Sequence, residues 1–200
     1  MTEKAGLETQ RREMWDELQE LRKRMVEISR EIGAMDVEDY VLKDPDGSPV
    51  CLSELFEGRK DLILVHNMGV MCPDCTMWAD GFNGLRHHLE NRAALVVCTP
   101  DEPSIMKKFA ESRGWKFRMV SGHGSTFIYD MGYERGKGGW FPGVSAFYKN
   151  KDGKITRVAT EEFEEGDVYC ATWQLFALLK DGWNGWQADF KYSSVIPGTG

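Results

Sequence analysis

The sequence predicts an α/β fold: a sandwich of helices on a mixed sheet, with a helical extension at its N-terminus. Three observations carry that prediction. Short apolar runs alternate with amphipathic stretches in the order strand, helix, strand, helix, strand, and a hairpin and a last helix follow. The run Leu62-Ile63-Leu64-Val65 is apolar throughout, as a strand covered on both faces should be. Residues 6–33 instead carry apolar side chains at heptad-like spacing, at Leu7, Met14, Leu18, Leu21, Met25, Ile28 and Ile32.

That first segment reads as one helix from Gly6 to Gly33, with charges of both signs off the seam. It either packs on its own domain or pairs with a second subunit, and a homodimer is the expectation. Residues 1–35 form the extension and residues 36–200 the main domain. From Tyr40 the pattern shortens. The turn Asp44-Pro45-Asp46-Gly47 separates Tyr40–Leu42 from Val50–Leu52, which predicts a hairpin. Ser53 caps a short helix through Phe56 that Gly58 ends. After the buried strand, a helix begins at Cys72-Pro73-Asp74-Cys75, with Trp78, Phe82, Leu85 and Leu89 on one face and Gly81 and Gly84 as points of kinking. Ala93–Cys98 is a second buried strand. Asp101-Glu102-Pro103 starts a second helix that Gly114 ends, and Lys116–Ser121 is a third strand. Residues 122–143 read as a Gly-rich loop. Val144–Tyr148 and Lys154–Ala159 form a hairpin across Asn150-Lys151-Asp152-Gly153. Asp167–Lys180 reads as a last helix with Val168, Thr172, Leu175 and Leu179 inward. The aromatic tail at Trp183 and Trp186 packs against the Gly-rich loop.

Composition narrows the function. A net charge of −7 argues against nucleic acid as a partner, because phosphate binding wants clustered Lys and Arg. No apolar run approaches the ~20 residues that span a bilayer, so no membrane partner is expected. Met1–Gln10 is polar and lacks the apolar core of a secretory signal, which points to the cytoplasm. Five cysteines are an odd set and three are scattered, so they do not read as a structural disulfide framework. In a reducing compartment a close pair is catalytic or metal-binding.

The pair Cys72 and Cys75 falls between a buried strand and a helix start. With Cys72 as N-cap, Pro73 takes the first helical position, where its missing N–H costs nothing. A Cys72 thiolate then accepts the Cys75 N–H and feels the positive helix end, and both effects lower its pKa. Cys75, one turn in, is placed to resolve a mixed disulfide. Asp74 opposes the activation as a neighbouring negative charge. Zinc is the competing chemistry, suggested by Cys72, Cys75, His87 and His88. A helix through Glu90 would carry His87 roughly 18 Å from Cys75 at ~1.5 Å per residue, too far for shared ligation. No metal or other cofactor is expected. His66 ends the strand leading to the pair and either approaches a thiolate or is satisfied by backbone hydrogen bonds. Cys98 ends the neighbouring strand and reads, with Cys51 and Cys170, as core. His123 reads as an exposed loop residue, and Met68 and Met71 as gap-fillers beside the pair.

Asp44-Pro45-Asp46-Gly47, Leu52-Ser53-Glu54-Leu55-Phe56 with Gly58, and the strand leading into Cys-Pro-Asp-Cys resemble the thioredoxin-like superfamily on its AhpC/TSA side. Closer still is a bacterial branch of unassigned function, which also opens with a charged helix. Shared with it are Trp78-Ala79-Asp80-Gly81-Phe82, Gly114-Trp115, Val120-Ser121, Gly124-Ser125, Tyr129-Asp130 and Pro142-Gly143-Val144-Ser145 with Phe147. The resemblance covers roughly Leu7 to Tyr192 and implies a thioredoxin-like three-layer α/β/α sandwich. Peroxiredoxins carry Pro, then Thr or Ser four residues on, then the reactive Cys three further. Counting back from Cys75 meets Cys72 and Met68; counting back from Cys72 meets Gly69 and Val65. Ser145 stands where thioredoxins place a cis-proline opposite the dithiol, and its N–H or hydroxyl could bond a sulfur or substrate. The expectation is a thiol–disulfide oxidoreductase acting on a protein or small-molecule disulfide, with Cys72 as nucleophile, Cys75 as resolver, and Pro73, Asp74, Ser145, His66 and Trp78 in support. A peroxide reductase using the same pair is the alternative enzyme. A non-enzymatic redox sensor or binding protein is the alternative outside catalysis.

Overall fold

The computed structural model describes residues 3–136 and 138–192. One eight-stranded mixed sheet organises them. Its strands are β1 (Met35–Val37), β2 (Val41–Lys43), β3 (Pro49–Cys51), β4 (Asp61–His66), β5 (Ala94–Thr99), β6 (Arg118–Ser121), β7 (Gly143–Lys149) and β8 (Ile155–Glu162), in the order β1-β8-β7-β4-β5-β6-β2-β3. β4, β5 and β6 run parallel, and β7 pairs antiparallel with β4, Leu64 opposite Ser145 and His66 opposite Gly143. The helices are α1 (Glu3–Gly33), α2 (Pro73–Arg92), α3 (Pro103–Arg113), α4 (Phe127–Asp130) and α5 (Ala171–Phe176). The fold is the thioredoxin-like α/β sandwich that the sequence predicts.

Alternation along β4 divides the core in two. Leu62 and Leu64 join Leu52, Phe56, Phe127 and Phe147 on one face. Val65 joins Trp78 and Phe82 of α2, Met106 of α3, and Trp115, Phe163 and Trp173 on the other. β5 is buried at every residue, which explains why its sequence shows no polar alternation.

Several local expectations change. Ser53 does not cap the short helix; Leu52–Phe56 is a 3-10 turn with Cys51 at its N-cap, and Ser53 instead bonds the Asp39 carboxylate through both its N–H and its hydroxyl. Gly81 and Gly84 lie within continuous α2. The Gly-rich stretch contains α4 and a bridge between Glu134 and Trp140. The last helix is shorter than its pattern: Asp167 accepts the N–H groups of Tyr169 and Cys170, and α5 begins only at Ala171. Its buried residue is Trp173, whereas Val168, Leu175 and Leu179 are exposed. Trp183 and Trp186 pack on Trp173 rather than on the Gly-rich loop, and the Trp183 indole donates to the Trp173 carbonyl at 3.0 Å. Aromatic area won over the helical stripe, since a Trp buries more apolar surface than the residues of the predicted face.

α1 leaves the domain almost at once. Gly33 is its buried residue, and a Cβ there would meet the Ala159 backbone at 2.5 Å. The Arg157 guanidinium donates to the Gly33 carbonyl at 2.8 Å, and Ser29 donates to Glu161.

Candidate functional site

β4 delivers the chain to the site and α2 receives it. Between them the segment 67–71 is held by side chains that accept backbone N–H groups. The Asn67 carbonyl oxygen accepts from Gly69, and the Asp101 carboxylate accepts from Val70 at 3.0 Å. Thr99 donates its hydroxyl to that same carboxylate. Gly69 sits at φ 106°, where a side chain is strained, and a Cβ there would lie 3.0 Å from the Asp101 carboxylate. Asn67, Thr99 and Asp101 had no sequence signal of their own; only the sheet brings the ends of β4 and β5 together.

Cys72 is the N-cap of α2 and Pro73 is its first residue. The Cys72 sulfur accepts the Cys75 N–H at 3.1 Å, satisfying one of the free donors of the first turn. Its carbonyl takes both the N–H and the hydroxyl of Thr76. Hydrogen bonding from the Cys75 thiol lowers the Cys72 pKa below the usual thiol range, and the Cys75 N–H adds to the effect. Partial burial and the Asp74 charge oppose it. Cys75 moves the other way. Its thiol is pushed far up because it serves as the donor to Cys72 and because it is buried, and the Met68 N–H at 3.5 Å offsets only part of this. Cys72 is 9% exposed and Cys75 3%, and both are free thiols. Asp74 is exposed on the second residue of the helix, and Met71 lies uncovered beside the pair at 83%.

The supporting residues divide. Trp78 lies one turn below Cys75, buried against Phe163, with its indole N–H donated to Asp167 at 3.4 Å. It closes the floor beneath the helix start. His66 and Ser145 sit on the opposite face of the sheet. The His66 ring bonds the Ser145 hydroxyl at 2.9 Å and stacks on Tyr133 with ring centres 3.7 Å apart. Burial and the positive Arg157 hold the His66 pKa well below its usual value, so the ring is neutral. Neither residue contacts a sulfur of the pair. Strand alternation explains why: Val65 and Asn67 face α2, and His66 between them must face away. The position before β7 is Pro142, and among the described residues there is no cis peptide. His87 and His88 lie in the second half of continuous α2, far along its axis from Cys75. Cys98 is buried, its thiol raised to about 12 by desolvation.

Residues 3–192 match the family model described as "Bacterial protein of unknown function (DUF899)". A Mycobacterium tuberculosis protein named as a peroxiredoxin is 31% identical over 130 residues, which cover 64% of this chain and 84% of that protein. Chloroplastic peroxiredoxin Q of Populus jackii is 27% identical over 126 residues, and the chain spans only 58% of its length. Among solved structures, peroxidoxin BcpB of Mycobacterium tuberculosis superposes with a TM-score of 0.54 at 26% identity, over 65% of this chain and 84% of that one. A PrxQ mutant of Xylella fastidiosa superposes at 0.53 with 16% identity, a likeness of fold. These findings draw the chain toward peroxiredoxins, the alternative enzyme of the sequence reading.

Proposed function

The chain belongs to the bacterial family designated DUF899, on the peroxiredoxin-like side of the thioredoxin superfamily, and on that footing we propose that it is a dithiol-dependent peroxide reductase. The observation that carries the reading is the asymmetry of the pair: the Cys72 sulfur caps the helix and accepts the Cys75 N–H at 3.1 Å, which favours its thiolate, whereas Cys75 is buried directly behind it with its thiol pushed up. In the first step the Cys72 thiolate attacks one oxygen of a hydroperoxide. An S–O bond forms as the O–O bond breaks; the hydroperoxide's own proton stays on the oxygen now bound to Cys72, giving the sulfenic acid, and the alkoxide or hydroxide that leaves takes from solvent the proton Cys72 released on ionising. In the second step the Cys75 sulfur attacks that sulfenic sulfur. An S–S bond forms and water leaves, carrying the Cys75 proton. An external dithiol then returns both cysteines to thiols by exchange. The Cys75 N–H and the helix end stabilise the thiolate before attack, and the hydroperoxide supplies the oxidising equivalents.

A second reading rests on the same pair. A Cys72 nucleophile with Cys75 one turn inward also suits exchange with a disulfide substrate, and, counted back from Cys72, Val65 and Gly69 stand where peroxiredoxins carry their Pro and hydroxyl. The test is to supply the reduced protein with a dithiol and either a hydroperoxide or a disulfide. Peroxide consumption with turnover, lost in Cys72→Ser, supports the reductase. Turnover of the disulfide alone supports exchange. Loss of two thiols without turnover of either substrate marks a redox sensor.

A further inference from the structure

We infer that α1 pairs with α1 of a second copy of this chain as an antiparallel two-helix coiled coil. The helix has 31 residues, about 45 Å at ~1.5 Å per residue, and only its C-terminal end is anchored. Val26, Ser29 and Gly33 turn toward the domain. The heptad seam lies on the neighbouring face and is uncovered: Leu7, Met14, Leu18, Leu21, Met25, Ile28 and Ile32 are 39–68% exposed. Met25 and Ile28 border an open cleft beside Glu161 and Tyr169 yet stay more than half exposed, so packing on its own domain leaves the apolar stripe uncovered.

Charge and apolar spacing select the occupant. With Leu18, Met25 and Ile32 as one set of seam positions and Leu7, Met14, Leu21 and Ile28 as the other, an antiparallel partner can interleave all of them. Leu18 then meets the partner's Leu21, Met25 meets the partner's Met14, and Ile32 meets the partner's Leu7. The same register sets Glu17 against the partner's Arg24, and two-fold symmetry repeats the contact. Both are exposed, and among the described residues neither forms an ion pair within its own chain. Arg11, the seam position one heptad before Leu18, falls opposite the partner's Ile28, where its long stem can pack and its charge reach solvent. A parallel pair would instead stack Arg11 on the partner's Arg11 in the seam. The antiparallel pair also carries the two domains to opposite ends of the coil, away from each other.

Light scattering on the full chain at micromolar concentration should give twice the 22.8 kDa mass. Glu17→Arg alone or Arg24→Glu alone replaces two attractive pairs by two repulsive ones and should weaken the dimer roughly tenfold. The double exchange should bring it back. In a parallel coil Glu17 would face the partner's Arg22, so the double exchange would not rescue. As an independent readout, Met14→Cys with Met25→Cys should cross-link two chains under oxidation, whereas Met14→Cys alone should not. A monomeric mass for the unaltered chain overturns the inference, as does a double exchange without rescue or a cross-link through Met14→Cys alone. Circular dichroism of each variant confirms that the helix is retained.

Discussion

The end of β4 carries two polar clusters that face opposite ways, and they differ in what their hydrogen bonds are for. On the α2 side, Cys72 and Cys75 share one hydrogen-bonding arrangement that stabilises a charge on one sulfur. On the other side, His66, Ser145 and Tyr133 form a stacked, hydrogen-bonded group in which burial and the positive Arg157 keep the His66 ring neutral. The Tyr133 hydroxyl extends that group to Thr160 and to the Val144 and Glu161 carbonyls, tying β7 to β8. His66 is only a few residues from Cys72 in sequence, yet its cluster holds the sheet and that of Cys72 the reactive group.

The sharpest way to break this division is to remove one polar member from each. Cys72→Ala should abolish fast alkylation near neutral pH, a loss of at least about a hundredfold, because the remaining Cys75 thiol is buried and protonated. Its stability, read by denaturant midpoint, should change little by comparison. Ser145→Ala should do the reverse. Among the described residues His66 has no partner at Nδ1 and bonds through its ring only to Ser145, so the change leaves the ring unbonded there, at a cost of about 1–3 kcal/mol. Cys72 alkylation should stay within about twofold, since no atom of Ser145 reaches the pair. A large change in Cys72 reactivity would show that the two clusters are one site.

Acid sharpens the same contrast. His66 is neutral in the fold with its pKa well below 6.5, while in the unfolded chain it titrates near 6.5. The unfolded state therefore gains a proton that the folded state does not. The stability from a neutral His66 is full above about pH 6.5 and is lost as pH falls below it, by up to about 1.4 kcal/mol per pH unit. Denaturant midpoints between pH 7.5 and 5.5 measure that slope, and His66→Asn should remove it.

Much of this was legible in the residues. The strand before the pair, Pro73 at the first helical position and Cys72 at the cap follow from the sequence because they depend on adjacent positions alone. The N-cap hydrogen bond is a local fact. What failed was set at long range. Which face His66 and Ser145 turn to depends on the register of β4 against β7, which no local pattern encodes. Asp101 reaches Val70 only because β5 lies beside β4. The last helix misled for a related reason: its apolar stripe at Val168, Leu175 and Leu179 is real, but Trp173 had Trp183 and Trp186 to pack on, and residues from the tail outweighed the stripe.

The smallest expected effect lies within the pair. Asp74 raises the Cys72 pKa from an exposed position, so solvent screens it. Asp74→Asn should lower that pKa further and speed alkylation below neutral pH by about two- to fivefold at low salt, less at high salt.

The central claim is that Cys72 is the attacking sulfur and Cys75 the resolving one. It is tested most directly by alkylation rate against pH in Cys72→Ser and Cys75→Ser, with the modified residue identified by mass spectrometry so that half-exposed Cys51 is counted separately. The account predicts that Cys75→Ser keeps a fast-reacting thiol at Cys72, titrating below the usual thiol range, and that Cys72→Ser leaves Cys75 slow at every pH near neutral. A fast, acidic thiol that survives in Cys72→Ser and disappears in Cys75→Ser would contradict it and reverse the two roles.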